Sequence, residues 1–173
     1  MVNNDYIAEL TLDIDADYIK NLPATTKGNL KSHQHLVSDN NYLTAIQKKY
    51  PFLGDIYNIY VFPPKGSLPI HIDSNRQCAI NIPIYNTVDS ETIFYKLEEP
   101  VKTTHVTERV YDVVKSKVSE SFKFTLTYPT LINNKVPHSA INYSNSNRIL
   151  LSWGLNSDIN FATAKELLNE YIL

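Results

Sequence analysis

Two neighbouring segments near the middle of the chain have the hydrophobic patterns of β-strands. Residues 70–73 read Ile-His-Ile-Asp, so apolar and polar side chains alternate as in a strand with one buried face. Residues 78–84 are almost wholly apolar and rich in isoleucine, which indicates a strand that is covered on both faces. Ser74 and Asn75 lie between the two segments and predict a tight turn.

Strand patterns continue through most of the remaining chain. Further strands are predicted at residues 6–14, 56–62, 91–97, 103–114, 121–128, 130–132, 138–143 and 148–155. We expect the strands 103–114 and 121–128 to form a hairpin across Lys115-Ser116-Lys117. The polar residues 25–38 predict an irregular surface loop that carries His33 and His35.

Helices are predicted at only three places. Asp15 or Asp17 can cap a short helix that ends at Lys20, and residues 41–50 show apolar positions at helical spacing before Pro51. Asp158 is expected to cap an amphipathic helix at the end of the chain. Many short strands with regular turns and few helices predict a mainly β protein with the double-sheet jelly-roll fold.

The length of 173 residues indicates one domain, residues 1–173, that is large enough to bury a core. In this domain residues 1–55 form N-terminal helical and strand support, residues 56–155 form the β core, and residues 158–173 form the C-terminal helix. The hydrophobic fraction of 43% and the charged fraction of 20% are typical of a soluble globular protein.

Composition also limits the partners and the location that we expect. The formal net charge is −2 and no long charged run is present, which gives no support for a nucleic-acid partner. No apolar run reaches membrane-spanning length, and residues 1–5 lack signal-peptide features. The single cysteine, Cys78, cannot form an internal disulfide, so we expect a cytoplasmic location. The sequence gives no indication of the oligomeric state.

Three side chains predict a metal site. His71 and Asp73 are two residues apart on one predicted strand, so both side chains leave the same face. His138 begins another predicted strand and can supply a third ligand. Two histidines and one carboxylate around open coordination positions are the ligand set of non-haem Fe(II) oxygenases.

Arg148 begins an apolar strand and shares one face with Leu150 and Ser152. A buried arginine is costly unless it has a partner, and its planar fork suits a carboxylate. If His138 points into the barrel, Arg148 can point in beside it. The two residues therefore predict a carboxylate receptor next to the metal, although a structural ion pair of Arg148 is the alternative.

The order His71-x-Asp73, then His138, then Arg148 resembles that of the 2-oxoglutarate/Fe(II)-dependent dioxygenases. The resemblance covers approximately residues 51–154. The segments Pro-x-x-Gly-Ser-Leu-Pro-Ile-His-Ile-Asp-Ser-Asn-Arg and Val-Pro-His-Ser-Ala-Ile-Asn-Tyr-Ser-Asn-Ser-Asn-Arg look most like the aspartyl/asparaginyl β-hydroxylase branch of that superfamily.

This resemblance implies a cupin-like double-stranded β-helix with helices packed on one side. It implies that His71, Asp73 and His138 are the catalytic ligands of Fe(II), and that Arg148 binds the distal carboxylate of 2-oxoglutarate. With O₂ as the oxidant, the expected reaction is hydroxylation of an amino-acid or peptide side chain or of another small molecule. Halogenating relatives lack the carboxylate ligand, so the presence of Asp73 favours hydroxylation.

Other cosubstrate and substrate contacts are less sharply defined by the resemblance. Many relatives have Ser or Thr two positions after the arginine, where this chain has Leu150. The second anchor of 2-oxoglutarate is therefore expected to be Ser152, Asn81 or Tyr60. Arg76 is a candidate substrate contact. The alternative, to which we give equal weight, is that Arg76 is an exposed residue of the turn. By strict alternation, Arg76 and Asn81 can both line the cavity only if a bulge separates them.

Two readings from other classes remain open. One is a metal-dependent cupin that acts on a small molecule without 2-oxoglutarate. The other is a non-catalytic jelly-roll module with a binding or structural role, in which the histidines and the carboxylate come together by coincidence. Iron content combined with 2-oxoglutarate turnover separates these readings from the dioxygenase.

Overall fold

The computed structural model describes residues 4–21, 25–27, 33–36, 41–73, 76–98, 109–111 and 118–173. Its strands are β1 (Ile7–Glu9), β2 (Thr25–Lys27), β3 (His33–Leu36), β4 (Leu53–Phe62), β5 (Ser67–Asp73), β6 (Cys78–Tyr85), β7 (Ser90–Leu97), β8 (Arg109–Tyr111), β9 (Val118–Phe124), β10 (Thr130–Asn133), β11 (His138–Asn142) and β12 (Arg148–Leu155). Its helices are α1 (Ala16–Lys20), α2 (Asn41–Lys49), α3 (Phe161–Leu167) and a 3₁₀ turn, Asn169–Tyr171. Among these residues, no helix is long and apolar enough to span a membrane.

The strands form two antiparallel sheets. One sheet has the order β1-β10-β6-β12-β4-β3-β2, and the other has the order β8-β5-β11-β7-β9. From β4 to β7 the chain changes sheet at every strand, and it does so again from β9 to β12. This alternation winds the chain around a common interior, so the fold is the expected double-stranded β-helix, or jelly roll.

Two apolar layers hold the sheets in place. One lies between the sheets and includes Phe62, Phe94 and Leu150. The other lies between the seven-stranded sheet and the helices and includes Leu151 and Trp153. Because successive side chains of a strand point to opposite faces, β12 contributes to both layers. Trp153 of β12 is fully buried in the second layer.

The predicted N-cap is correct for the first helix and two residues early for the C-terminal helix. Asp15 caps α1, because its side chain accepts a hydrogen bond from the backbone N–H of Tyr18. Asp158 does not cap α3, which is the role of Asn160. Asp158 Oδ1 instead accepts a hydrogen bond of 2.9 Å from the backbone N–H of Gln77. This interaction fixes the start of β6 rather than the start of the helix.

The expectation about strand pairing is wrong. The predicted hairpin of residues 103–114 and 121–128 does not form, because β8 pairs with β5 and β9 pairs with β7. The two strands lie at opposite edges of the five-stranded sheet. The strands β5 and β6 belong to different sheets, and the turn predicted at Ser74 and Asn75 lies outside the described residues.

The N-terminal part of the chain contains more strand than the polarity pattern indicates. Residues 25–38 were expected to form a loop, but they contain β2 and β3, which extend the seven-stranded sheet beyond β4. His33 and His35 therefore lie on a strand. A strand at the edge of a sheet is stabilised by backbone hydrogen bonds and needs no apolar face, so hydrophobic periodicity does not reveal it. The predicted strand 6–14 is reduced to β1.

The close approach of β4 to the end of β12 gives a prediction about stability. A Cβ atom on Gly54 would lie 2.5 Å from the backbone oxygen of Leu155. We expect Gly54→Ala to lower the free energy of unfolding by about 1–3 kcal/mol, because backbone atoms must move apart. Gly154→Ala is the matched control, since its nearest contact is 3.3 Å. Urea denaturation measures the free energy of unfolding of both variants. Equal values for Gly54→Ala and Gly154→Ala would contradict the close packing at Gly54.

Candidate metal centre

The three candidate ligands converge because β5 and β11 are neighbours. His71 and His138 are directly opposite each other in the antiparallel pair, and their ring centroids lie 4.3 Å apart. Asp73 follows His71 on the same face of β5. One ligand atom from each of the three residues lies within 4.8 Å of the other two. A single ion can therefore contact all three side chains.

Both imidazole rings are oriented by backbone carbonyls. His71 Nδ1 lies 2.9 Å from the oxygen of Pro69, and His138 Nδ1 lies 2.8 Å from the oxygen of Val136. A carbonyl oxygen only accepts hydrogen bonds, so each Nδ1 carries the proton. Each Nε2 is then the unprotonated nitrogen, which is the form that binds a metal. His71 Nε2 lies 3.5 Å from Asp73 Oδ1.

The carboxylate of Asp73 is held on its second oxygen. Arg76 Nε donates a hydrogen bond of 2.9 Å to Asp73 Oδ2, while Arg76 Nη1 donates one of 3.0 Å to Ser152 Oγ. The backbone of Asp73 is fixed as well, because its oxygen accepts a hydrogen bond of 2.9 Å from Lys135 Nζ. Asp73 Oδ1 is therefore directed to the two histidines as the metal-binding oxygen.

The protonation states suit a divalent cation. Burial, assisted by the nearby His71, lowers the pKa of His138 to about 4, so its imidazole is neutral near pH 7. Burial acts to raise the pKa of Asp73. The neighbouring His71 and the positive charge of Arg76 outweigh that effect and hold the pKa of this carboxyl well below its usual range. The site thus offers neutral imidazole nitrogen and anionic carboxylate oxygen, which fits a first-row transition metal.

Arg148 is a buried cation close to these ligands. Its side chain is 1% exposed, and its guanidinium carbon lies 5.0 Å from the centre of the Phe62 ring. Within the described residues, neither Nε nor Nη1 has a hydrogen-bond partner. Burial lowers the pKa of Arg148 to about 10, so the group remains charged at neutral pH. Two buried donors of a charged group without acceptors indicate a place for an anion.

The candidate residues line one interior cavity between the sheets, which we call the narrow cavity. Its walls include all eight site residues predicted from the sequence, namely Tyr60, His71, Asp73, Arg76, Asn81, His138, Arg148 and Ser152. Its volume of about 60 Å³ has room for about four water molecules. A second, wide cavity of about 540 Å³ shares Tyr60, Asp73 and Arg76 with the narrow one. The wide cavity therefore opens onto the carboxylate ligand.

The structure assigns neighbours to the less certain candidates. Arg76 is not an exposed turn residue, because it bridges Asp73 and Ser152. Ser152 Oγ accepts a hydrogen bond from Arg76. Asn81 Oδ1 is buried and has no hydrogen-bond partner among the described residues. Arg76 and Asn81 line the same cavity without the expected bulge between them. Arg76 precedes β6, so the alternation of that strand does not apply to it.

Among the other residues that line the narrow cavity, Phe62 and Asn134 bear on its chemistry and were not identified from the sequence. Phe62 ends β4 and lies against Arg148, and Asn134 lies in the turn between β10 and β11. An aromatic residue at the end of a strand is ordinary, and an Asn-Asn-Lys turn is typical of a surface loop. No sequence signal separates these two residues from structural ones.

Comparisons with known proteins give similarities of shape only. No protein-family model matches the chain, and no curated protein matches it. Similar solved structures include E. coli ycfD, with 14% identity, a TM-score of 0.48 and coverage of 80% of this chain and 38% of that chain. The Drosophila melanogaster CENP-C cupin domain has 7% identity, a TM-score of 0.41 and coverage of 75% and 73%.

A cupin domain from Bordetella pertussis Tohama I is a third similar structure. It has 13% identity and a TM-score of 0.32, with coverage of 78% of this chain and 93% of that chain. All three identities are below 25% and all three TM-scores are below 0.5. These structures therefore carry no inference about metal, substrate or activity.

The geometry predicts that both histidines are required for metal binding. We expect His71→Ala and His138→Ala each to abolish Mn(II) binding measured by calorimetry, because two ligands do not hold the ion. Ser139→Ala is the matched control, since Ser139 is next to His138 and its hydroxyl contacts Tyr95 instead. Circular dichroism checks that each variant is folded. Mn(II) binding of wild-type strength by either histidine variant would contradict the assignment.

The buried His138 also predicts a pH dependence of stability in the metal-free protein. The folded-state pKa of about 4 lies below the ordinary value of 6.5, so the unfolded chain binds more protons between these values. The free energy of unfolding should therefore fall by up to about 3 kcal/mol as pH drops from 6.5 to 4. His138→Gln should have a flatter profile in urea denaturation. Identical profiles would show that His138 is not buried in its neutral form.

Proposed function

We propose that this protein is an Fe(II)- and 2-oxoglutarate-dependent dioxygenase that hydroxylates an amino-acid or peptide side chain. The observation that carries the proposal is the buried Arg148, which lines the same narrow cavity as two histidines and a carboxylate. Its Nε and Nη1 have no acceptor among the residues that the structure describes. A metal site alone accounts for His71, Asp73 and His138 but not for the buried arginine. A metal site beside an arginine receptor explains both features with one anionic cosubstrate.

The ligands on this chain fit Fe(II). His71, Asp73 and His138 occupy one side of the site and leave further coordination positions for exogenous ligands. Fe(II), when bound together with 2-oxoglutarate and O₂, supplies the oxidising chemistry of the reaction. The chain's own contribution is to fix the ligand tautomers, to orient Asp73 through Arg76, and to keep the site buried.

Arg148 is the proposed receptor for the distal carboxylate of 2-oxoglutarate. Nε and one Nη of a guanidinium can donate two parallel hydrogen bonds to a carboxylate. Phe62 packs within 5.0 Å of this guanidinium and restricts where its plane can lie. Because Arg148 is 1% exposed, a carboxylate there interacts in a dry environment, where charge-assisted hydrogen bonds contribute more than in water.

Ser152 is the most suitable second anchor of the three candidates. Its Oγ accepts a hydrogen bond of 3.0 Å from Arg76, which leaves the hydroxyl proton free to be donated. Ser152 and Arg148 lie on the same face of β12, so both can contact one ligand along that strand. Asn81 is opposite Ser152 in the sheet and Tyr60 is opposite Leu150, so both remain secondary candidates.

The wide cavity is the proposed entry for the substrate. It shares Tyr60, Asp73 and Arg76 with the narrow cavity, so a substrate there lies against the wall that carries a metal ligand. Its walls combine polar groups, such as Asn58 and Asn156, with apolar ones. A lining of this kind suits a polar side chain of a free amino acid or a peptide. Arg76 lies where the two cavities meet and is the proposed substrate contact.

A substrate screen tests the activity directly. The iron-loaded protein is incubated with 2-oxoglutarate and O₂ in the presence of free amino acids and short peptides, and succinate release is measured. Substrate-stimulated succinate formation that is lost in His138→Ala supports the dioxygenase. Binding of Fe(II) without any binding of 2-oxoglutarate would instead favour a metal-dependent cupin that acts without this cosubstrate.

Arg148→Lys tests the cosubstrate site separately from the metal site. Lysine keeps the charge but loses the planar fork, so we expect 2-oxoglutarate affinity to fall about tenfold or more. Fe(II) affinity should be unchanged, because Arg148 is not a ligand. Anaerobic titration of the charge-transfer band of the Fe(II) complex measures 2-oxoglutarate binding. Equal affinities of variant and wild type would remove Arg148 from the site.

A further inference from the structure

Asn134 presents a second buried donor to the narrow cavity. The residue is 3% exposed and lines the same cavity as the three candidate ligands. Within the described part of the chain, its Nδ2 atom has no hydrogen-bond partner. A buried amide donor without an acceptor destabilises the folded protein, because the group has lost its hydrogen bonds to water. The structure thus contains an unpaired N–H group that faces a space suited to a ligand.

The backbone of Asn134 places this donor beside the metal ligands. Its oxygen accepts a hydrogen bond of 3.1 Å from the N–H of Asp73, and its N–H donates one of 3.0 Å to the oxygen of Gln77. These two bonds attach the turn to both ends of the segment that carries Asp73 and Arg76. The side chain of Asn134 therefore belongs to the end of the cavity where Asp73 lies.

Arg148 lines the same cavity from the start of β12. Ser152 is linked to Asp73 through Arg76, and Arg148 precedes Ser152 by four residues on β12. Four residues of an extended strand span about 13 Å. Arg148 and Asn134 thus line one cavity from different parts of the fold, so their unpaired donors can bind different groups of one ligand.

We propose that Asn134 is a binding residue for the anionic group that lies against the metal. In 2-oxoglutarate this group is the carboxylate next to the keto group, and Nδ2 of Asn134 donates a hydrogen bond to it. The inference rests on the proposed function for the identity of the ligand. It adds a neutral amide donor at the metal end, complementary to the guanidinium at the distal end.

Oxalate tests binding at the metal without the contact to Arg148. It has two adjacent carboxylates, which resemble the metal-binding end of an oxo acid, and it has no distal group. Calorimetry of the Mn(II)-loaded protein measures the affinities for oxalate and for 2-oxoglutarate. Asn134→Asp replaces the donor by a negative charge, so we expect both affinities to fall at least tenfold. Asn134→Ala should lower both by a smaller factor, and Mn(II) affinity should not fall in either variant.

Two further variants serve as controls. Asn133→Asp introduces the same charge one residue away, where the side chain donates to the backbone oxygen of Asp5 instead of facing the cavity. It should bind both anions like the wild type. Arg148→Lys should weaken 2-oxoglutarate binding and leave oxalate binding unchanged, because oxalate does not reach the distal end.

The outcomes distinguish this inference from the proposed function. Oxalate affinity of Asn134→Asp and Asn134→Ala within twofold of the wild type would overturn the role of Asn134. Absence of oxalate binding by the Mn(II)-loaded wild type would overturn it as well. If the wild type binds oxalate but not 2-oxoglutarate, and Asn134→Asp loses oxalate, the role of Asn134 stands and the proposed dioxygenase function fails.

Discussion

The antiparallel pairing of β5 with β11 is the constraint on which the candidate site depends. It places His71 directly opposite His138, and the alternation of β5 then places Asp73 on the same side. A shift of this register by one residue would turn either histidine to the other face of the sheet. The core between the sheets opposes such a shift, because Phe94 is opposite His138 on β7 and is fully buried.

Burial gives these side chains their chemical character. Burial keeps His138 neutral, whereas the Arg148 guanidinium stays charged in spite of burial. Within the described residues, two donors of this guanidinium have no acceptor. A core that served stability alone would be better filled with apolar side chains, because an unpaired buried charge is costly. The unpaired donors of Arg148 and Asn134 therefore indicate a ligand site, and the wide cavity supplies an approach to it.

Local patterns in the sequence predict much of the candidate site but little of the strand pairing. The two-residue spacing of His71 and Asp73 depends only on the geometry of one strand, so it is visible in the sequence. The partners of β8 and β9 are set by residues far away in the chain, and their sequence proximity wrongly indicates a hairpin. Asn134 could not be identified, because an asparagine in a turn has the same sequence signal whether its amide is exposed or buried.

The most direct test of this account is a crystal structure of the protein grown with Mn(II) and 2-oxoglutarate under anaerobic conditions. Anomalous scattering locates the metal independently of the protein coordinates. The account predicts one ion bound by His71 Nε2, His138 Nε2 and Asp73 Oδ1, with the distal carboxylate of 2-oxoglutarate on Arg148. An anomalous map without a peak between these three side chains, or 2-oxoglutarate bound away from Arg148, would contradict it.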